Sequence, residues 1–170
     1  KNVIRGKYVK KIDSLTRVKK IFGGTRSNVV PSHATALVSK IGSFHNDQDI
    51  VIEDKGDMYE ITATGISAHA SVPEVGKNAF MILFRYLSRV LPDGDAYKEI
   101  SQQLLDAFIE TDGQGLEIDC SDDATGQLTI NLGVMAGDST SFEGTFDIRQ
   151  PVTLDDEELR QKLTNGLVGF

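Results

Sequence analysis

The histidine at position 69 is the residue of this 170-residue chain whose setting most clearly suggests chemistry. It lies in the stretch 64–80 (TGISAHASVPEVGKNAF), between a segment that predicts a strand and an apolar pattern that predicts a helix as far as Leu91. Pro73 suits the first turn of that helix, and Ser71 is the predicted cap of its free amides. On the residues alone, local packing or hydrogen bonding of His69 is the favoured interpretation.

Arg149 and Asn28 are two further polar residues whose surroundings are well defined. Apolar residues alternate with polar ones along residues 139–150, which places Arg149 on the same strand face as Asp147 and opposite the predicted core. On the residues alone, an ion pair with a neighbouring carboxylate is the favoured role of Arg149. Asn28 follows a Gly-Gly pair and precedes Val-Val-Pro, so on the same grounds it is predicted to form a turn.

The remaining histidines and the single cysteine do not form a recognisable catalytic pattern. His45 and Asp47 form an H-x-D sequence, but the polar loop around them predicts that both are solvated. Acidic neighbours should raise the pKa of the Cys120 thiol, which argues against a nucleophile. None of the three histidines lies in a metal-ligand pattern, so this chain does not supply the carboxylate and imidazole set of a two-metal hydrolase.

Composition excludes several classes of function. The net charge of -7 and the pI near 4.9 argue against nucleic acid as a partner. No signal peptide or membrane-spanning segment is recognised, so no membrane partner is predicted. A single cysteine favours a reducing, cytoplasmic setting. A chain with 39% hydrophobic residues can bury a core as one domain or two small lobes, and its first and last residues suggest a segment of something longer.

Periodic patterns predict the elements that must position these residues. Strands are predicted at 3–9, 17–22, 49–53, 58–65, 116–120, 127–137 and 139–150, and residues 34–38 fit either a strand or a short helix. Helices are predicted from 79 to 91, around 100–109, and after Thr153, which should cap a last helix that buries Leu159, Leu163 and Leu167. Residues 21–38 and 133–148 share a strand, glycine turn and strand pattern, which suggests two related α/β lobes.

Three motifs resemble one protein family. The sequence G-x-S-A-H-A-S-x-P-E-x-G-x-N-A at 65–79 is accompanied by G-G-x-x-x-N-x-V-P at 23–31 and D-I-R-x-P at 147–151. Together they resemble the lid, or dimerisation, domain of the co-catalytic zinc metallopeptidases that include aminoacylases, glutamate carboxypeptidases and bacterial PepV-type dipeptidases. The Gly-Gly motif precedes the histidine motif here, an order that resembles the PepV-like branch, in which one long lid serves a single subunit.

The resemblance implies a fold, a function and three site residues. The implied fold is α+β, with two ferredoxin-like lobes of the bacterial exopeptidase dimerisation type and an antiparallel sheet with helices on one face. Residues 1–170 would form the lid of a larger zinc dipeptidase and close over short peptide substrates. His69 would stabilise the tetrahedral oxyanion, while Asn28 and Arg149 would bind the substrate carboxylate. Two zinc ions would lie on the catalytic domain of the same polypeptide, which is absent from this chain, so the isolated chain should be inactive.

Two other classes of function are compatible with parts of the sequence. A non-catalytic α+β dimerisation or ligand-binding module would need neither His69 nor Arg149. A nucleotide-binding domain is less well supported, because no Gly-rich loop leads from a predicted strand into a helix with phosphate-binding spacing. The sequence does not determine whether the parent protein is monomeric.

Overall fold

A computed structural model describes residues 1–42 and 44–166 of the chain. The strands within this part are β1 (Asn2–Lys11), β2 (Val18–Gly23), β3 (Val29–Val30), β4 (His33–Ser39), β5 (Ile50–Asp54), β6 (Met58–Thr64), β7 (Ala68–His69), β8 (Ser121–Asp122), β9 (Gly126–Gln127), β10 (Thr129–Asp138) and β11 (Ser141–Gln150). The helices are α1 (Ala79–Val90), α2 (Ala96–Phe108) and α3 (Asp156–Gly166), with short 3₁₀ helices at Pro73–Val75 and Gln114–Leu116.

Seven of these strands form one antiparallel sheet in the order β1-β11-β10-β2-β4-β6-β5. This confirms the predicted α+β fold with an antiparallel sheet. The ambiguous segment at 34–38 is a strand, and the predicted hairpins are β5–β6 and β10–β11. The two halves of the sheet join where β10 pairs with β2 over Met135–Asp138, so the predicted lobes share one continuous sheet.

The core lies between one face of the sheet and the helices. Alternate residues of β6, Ile61 and Ala63, are fully buried on this face. Helix α1 packs against β4 and β6 on one side and against α2 on the other, which explains why its apolar surface is wide. Its buried side chains include Phe80, Phe84 and Leu87, each of which contributes about 1.5–3 kcal/mol by leaving water. None of the described helices is long and apolar enough to cross a lipid bilayer.

The predicted strand at 116–120 is wrong. The chain forms a 3₁₀ helix at Gln114–Leu116, and both residues that flank it have positive φ, 89° at Gly113 and 55° at Glu117. Because left-handed backbone is incompatible with an extended strand, the apolar residues that suggested a strand cannot lie in one extended segment. Leu116 and Ile118 are instead buried individually against the core.

The start of the last helix also differs from the prediction. Asp155, and not Thr153, caps α3, since its Oδ1 accepts a hydrogen bond from the Glu157 amide at 2.7 Å. The Thr153 hydroxyl donates to Asp122 Oδ2 at 3.0 Å, so it fastens the end of β11 to the preceding loop. Two of the three leucines expected to face inward, Leu159 and Leu163, are buried. Leu167 lies outside the described residues.

The Gly23-Gly24 turn supports a quantitative prediction about stability. Gly24 has a φ of +72°, as the sequence predicted for one of the pair, and a Cβ there would lie 1.9 Å from the Gly133 carbonyl oxygen. Gly56 is a matched control with a φ of +92° and nothing within 4 Å of its hypothetical Cβ. In Gly56→Ala we expect a loss of about 1–2 kcal/mol from left-handed backbone alone. In Gly24→Ala the backbone clash adds to this loss.

Urea unfolding of the two variants measures the difference. The expected result is a lower unfolding midpoint for Gly24→Ala than for Gly56→Ala, at a similar denaturant dependence. Equal losses in the two variants would contradict the close approach of the 23–24 turn to β10.

Candidate functional site

A two-stranded ribbon brings Asn28 and His69 together. Strands β3 and β7 pair antiparallel, with Val29 opposite His69 and Val30 opposite Ala68. The ladder continues beyond the strands, because the Ala70 amide donates to the Asn28 carbonyl at 3.0 Å. The motif around Asn28 and the motif around His69 are therefore parts of one structural unit, which we call the site ribbon and define as residues 27–30 and 68–71.

The site ribbon is fastened to the first half of β10. The Thr129 hydroxyl donates to the Ala70 carbonyl at 2.9 Å, and Asn131 Nδ2 donates to the Ser27 and Val29 carbonyls, both at 3.0 Å. This half of β10 precedes the residues that pair with β2. The ribbon therefore occupies the side of β10 where the main sheet has no neighbouring strand.

Arg149 lies beside this attachment point. On β11 it is directly opposite Thr129 of β10, and Asp147 is directly opposite Asn131. Thr129 thus contacts the residue after His69 through its side chain and pairs with Arg149 through the strand ladder. The structure therefore places Asn28, His69 and Arg149 in one region, although they are far apart in sequence.

The His69 ring is exposed, and its Nδ1 atom is occupied by Ser71. The Ser71 amide donates to Nδ1 at 3.1 Å, and the Ser71 hydroxyl oxygen lies 2.7 Å from the same atom. A backbone amide can only donate, so Nδ1 must be an acceptor and the proton of the neutral ring must lie on Nε2. The ring consequently offers an outward N–H donor.

The predicted capping role of Ser71 is wrong. The residue before the 3₁₀ helix is Val72, which provides no side-chain cap, and the cap of α1 is Asn78, whose side chain accepts from the Phe80 amide at 2.9 Å. The Ser71 side chain is short and lies two residues after His69, so it reaches the imidazole instead of a helix amide. The connection from β7 to α1 thus contains a separate 3₁₀ helix at Pro73–Val75 before α1 begins.

Arg149 forms the ion pair that the residues alone predicted. Its Nε donates to Asp147 Oδ1 at 2.5 Å, while Arg5 Nε donates to Asp147 Oδ2 at 3.2 Å. The Asp147 side chain is fully buried and that of Arg149 is 16% exposed. This ion pair uses the Nε and Nη2 edge of the Arg149 guanidinium. Arg149 Nη1 has no hydrogen-bond partner in the described part of the chain, so it can donate to a bound anion.

Asn28 lies in a turn, as the residues alone predicted, and it is half-buried. The turn is closed by a hydrogen bond from the Val29 amide to the Arg26 carbonyl at 3.2 Å. The backbone carbonyl of Asn28 is used by Ala70, but its side-chain amide has no hydrogen-bond partner among residues 1–42 and 44–166. That amide can therefore both donate to and accept from a ligand.

The described residues do not fit a metal site. No group of three or more His, Cys, Asp and Glu side chains within them could hold a metal ion, so the zinc ions implied by the family resemblance have no site there. His45 is exposed, as predicted. Asp47 is exposed but paired, since Arg89 donates to it at 2.7 Å and this hydrogen bond lowers the pKa of the carboxyl. Both carboxylates of this loop are thus used in ion pairs, Asp47 with Arg89 and Asp49 with Lys77.

Cys120 is half-buried and lacks the environment of a nucleophile. Burial is the largest cause of a raised thiol pKa, and the charge of Asp119 raises the pKa further. The direction was predicted correctly from the acidic neighbours, although burial proves to be the stronger cause. Of those neighbours, Asp122 accepts hydrogen bonds from Thr125 and Thr153 and so braces its loop.

Thr129 and Asn131 belong to the candidate site, although the sequence predicts only a strand at their positions. Both are buried polar residues, 8% and 3% exposed. The signal available in the sequence was the alternation T-I-N-L, which places two polar side chains on one face of an otherwise apolar strand. Polar groups buried in this way require hydrogen-bond partners, and here the partners are carbonyls of the site ribbon.

The α+β fold, with its seven-stranded antiparallel sheet and its helices, is that of a ferredoxin-like dimerisation domain. The chain belongs to the peptidase dimerisation domain family, whose model matches residues 57–167, and this confirms the resemblance drawn from the motifs. It is 32% identical over 150 residues to "Putative dipeptidase YtjP" of Bacillus subtilis (strain 168), covering 81% of this chain and 32% of that protein. It is 26% identical over 158 residues to "Putative dipeptidase SAUSA300_1697" of Staphylococcus aureus (strain USA300), covering 85% of this chain and 34% of that protein. The chain thus spans about a third of the length of these relatives.

Proposed function

We propose that residues 1–170 form the lid domain of a longer, metal-dependent dipeptidase. The family match and the two relatives named as dipeptidases support this proposal. We place the two zinc ions on a separate catalytic domain of the same polypeptide, because the described residues have no group that could hold them. The single cysteine is consistent with a cytoplasmic parent.

The observation that carries the proposal is the fixed orientation of the His69 ring. With Nδ1 occupied by the Ser71 amide, the exposed Nε2–H is a hydrogen-bond donor that need not lose or gain a proton during the reaction. We propose that closure of the lid brings this donor to the scissile carbonyl of the substrate. There it would stabilise the negative charge that develops on oxygen in the tetrahedral intermediate, in the manner of an oxyanion hole.

Arg149 and Asn28 would hold the free carboxylate of the same substrate. The Asp147 carboxylate orients the Arg149 guanidinium and leaves Nη1 available, and the Asn28 amide has no competing partner in the described residues. A single residue, Thr129, connects the ribbon next to His69 with Arg149, so we expect a substrate that contacts His69 through its scissile carbonyl and Arg149 through its terminus to be short. We therefore propose short peptides, dipeptides above all, as the substrate class.

The isolated 170-residue chain should be inactive. We expect no detectable dipeptide hydrolysis by the purified chain with added zinc, because residues 1–42 and 44–166 contain no group of side chains that would bind a metal ion and so activate its water. A dipeptidase assay of the isolated chain beside the complete parent protein is the measurement. A robust metal-dependent rate from the isolated chain would refute the assignment of catalysis to another domain.

The family description favours one other function, that of a dimerisation module without a catalytic role. In that case His69 and Arg149 could be replaced in the parent protein without loss of activity. Sedimentation of the parent and of the isolated chain would show whether this domain self-associates. The two functions are compatible if the parent dimerises and the histidine variant is also impaired.

A further inference from the structure

Two buried polar side chains of β10 connect the histidine-bearing ribbon to the arginine-bearing strand. Thr129 donates to the Ala70 carbonyl, directly after His69, and Asn131 donates to the Ser27 and Val29 carbonyls, on both sides of Asn28. Each attachment therefore lies within one residue of a proposed site residue. The Asn131 Oδ1 atom accepts a hydrogen bond from Asn78, the cap of α1, at 3.3 Å, which restrains the Asn131 amide itself.

The same two residues are the ladder neighbours of the arginine cluster. Thr129 pairs with Arg149 and Asn131 pairs with Asp147 on β11. Adjacent strands are held about 4.8 Å apart by their hydrogen bonds, and successive residues on one face of a strand are about 6.7 Å apart. Because these spacings are set by the sheet, the ribbon carbonyls are held at fixed distances from Arg149.

We propose that Thr129 and Asn131 are positioning residues that set the separation between the His69 imidazole and the Arg149 guanidinium. This inference rests on the proposed function, since it assigns these two groups to opposite ends of one substrate. The separation determines how many residues fit between the scissile carbonyl and the terminal carboxylate, and one extended residue spans about 3.5 Å. Thr129 and Asn131 therefore influence the peptide length that the enzyme accepts.

The experiment uses the complete parent enzyme with three threonine variants. Thr129→Val keeps the shape of the side chain and removes the hydroxyl, whereas Thr129→Ser keeps the hydroxyl. Thr145→Val is the matched control, because Thr145 lies on the adjacent strand on the same face as Arg149 and its hydroxyl makes no hydrogen bond within the described residues. We expect Thr129→Val to lower kcat for a dipeptide by about tenfold or more through misplacement of the reacting groups. Thr129→Ser and Thr145→Val should remain close to the unmodified enzyme.

A thermodynamic cycle separates positioning from a general loss of stability. If Thr129 acts through His69, Thr129→Val should change kcat much less in a His69→Ala background than in the unmodified enzyme. The ratio of kcat/KM for a dipeptide to kcat/KM for a tripeptide should also fall in Thr129→Val. The reason is that the distance between the His69 imidazole and the Arg149 guanidinium is no longer held at one value. If Thr129→Val fails to fold, Thr129→Ala can replace it in the same cycle, because alanine also lacks the hydroxyl and is smaller than valine.

The outcomes distinguish this inference from the proposed function. Independent effects of Thr129→Val and His69→Ala, or an unchanged length preference, would overturn the positioning role while leaving the lid function intact. If His69→Ala and Arg149→Ala themselves retain full activity, the proposed function fails, and this inference fails with it. The positioning role is supported if Thr129→Val lowers kcat, Thr129→Ser keeps kcat close to that of the unmodified enzyme, and the effect of Thr129→Val depends on the presence of His69.

Discussion

Replacement of His69 by alanine in the complete parent enzyme should lower kcat by about 10²- to 10³-fold, the usual effect of removing one oxyanion donor. KM should change little, because a donor that binds the developing oxyanion contributes mainly in the transition state. The Ser71 amide holds Nδ1, so the group lost is the outward Nε2–H. Steady-state kinetics on a dipeptide with the metal-loaded enzyme measure this effect.

His33 provides the matched control. It is an exposed histidine, and its Nδ1 atom also lies next to a serine hydroxyl, that of Ser32 at 3.1 Å. His33→Ala should therefore remove another exposed imidazole without affecting kcat. Equal and small effects of His33→Ala and His69→Ala would show that the exposed ring of His69 has no part in the reaction, and the domain would then be a non-catalytic module.

Replacement of Arg149 by alanine should lower kcat/KM for dipeptides by roughly 10²-fold or more, since the loss of one partner of a hydrogen-bonded charge pair costs about 2–5 kcal/mol. The effect should depend on the substrate carboxylate. A dipeptide whose terminus is amidated should react slowly with the unmodified enzyme and lose little further in Arg149→Ala. The selectivity for the free carboxylate over the amide is the quantity to measure.

The variant Arg5→Ala tests whether Arg149 acts by binding the substrate or by its ion pair with Asp147. Arg5 and Arg149 share this fully buried carboxylate, so removal of either arginine leaves Asp147 with one partner fewer. The Arg5 side chain is 60% exposed, and we expect Arg5→Ala to preserve the selectivity for the free carboxylate. If both variants lose that selectivity equally, the contribution of Arg149 is structural support of Asp147 and not recognition of the substrate.

The long elements of the fold could be predicted from local patterns. The alternation of Phe142, Phe146 and Ile148 with polar residues predicted β11, and the apolar spacing after Asn78 predicted α1, because periods of two and 3.6 residues persist over such lengths. Short elements could not be predicted in this way. The segment 116–120 is apolar enough for a strand, but positive φ at Glu117 breaks it. Likewise, the choice between Thr153 and Asp155 as a cap depends on where Asp122 lies.

The sequence by itself determined the family, the α+β class and the residue types that could do chemistry, because these depend on motifs and local periodicity. Only the tertiary structure decided that Asn28 and His69 are neighbours and that Thr129 connects their ribbon to Arg149, since β3 and β7 are two-residue strands with no periodic signal and their pairing depends on long-range contacts. It also placed the Ser71 amide against His69 Nδ1, which leaves the proton of the neutral ring on Nε2, and it gave Thr129 and Asn131 their partners. The partners in these hydrogen bonds come from segments that are distant in sequence and meet only as the chain folds, so no local pattern encodes them.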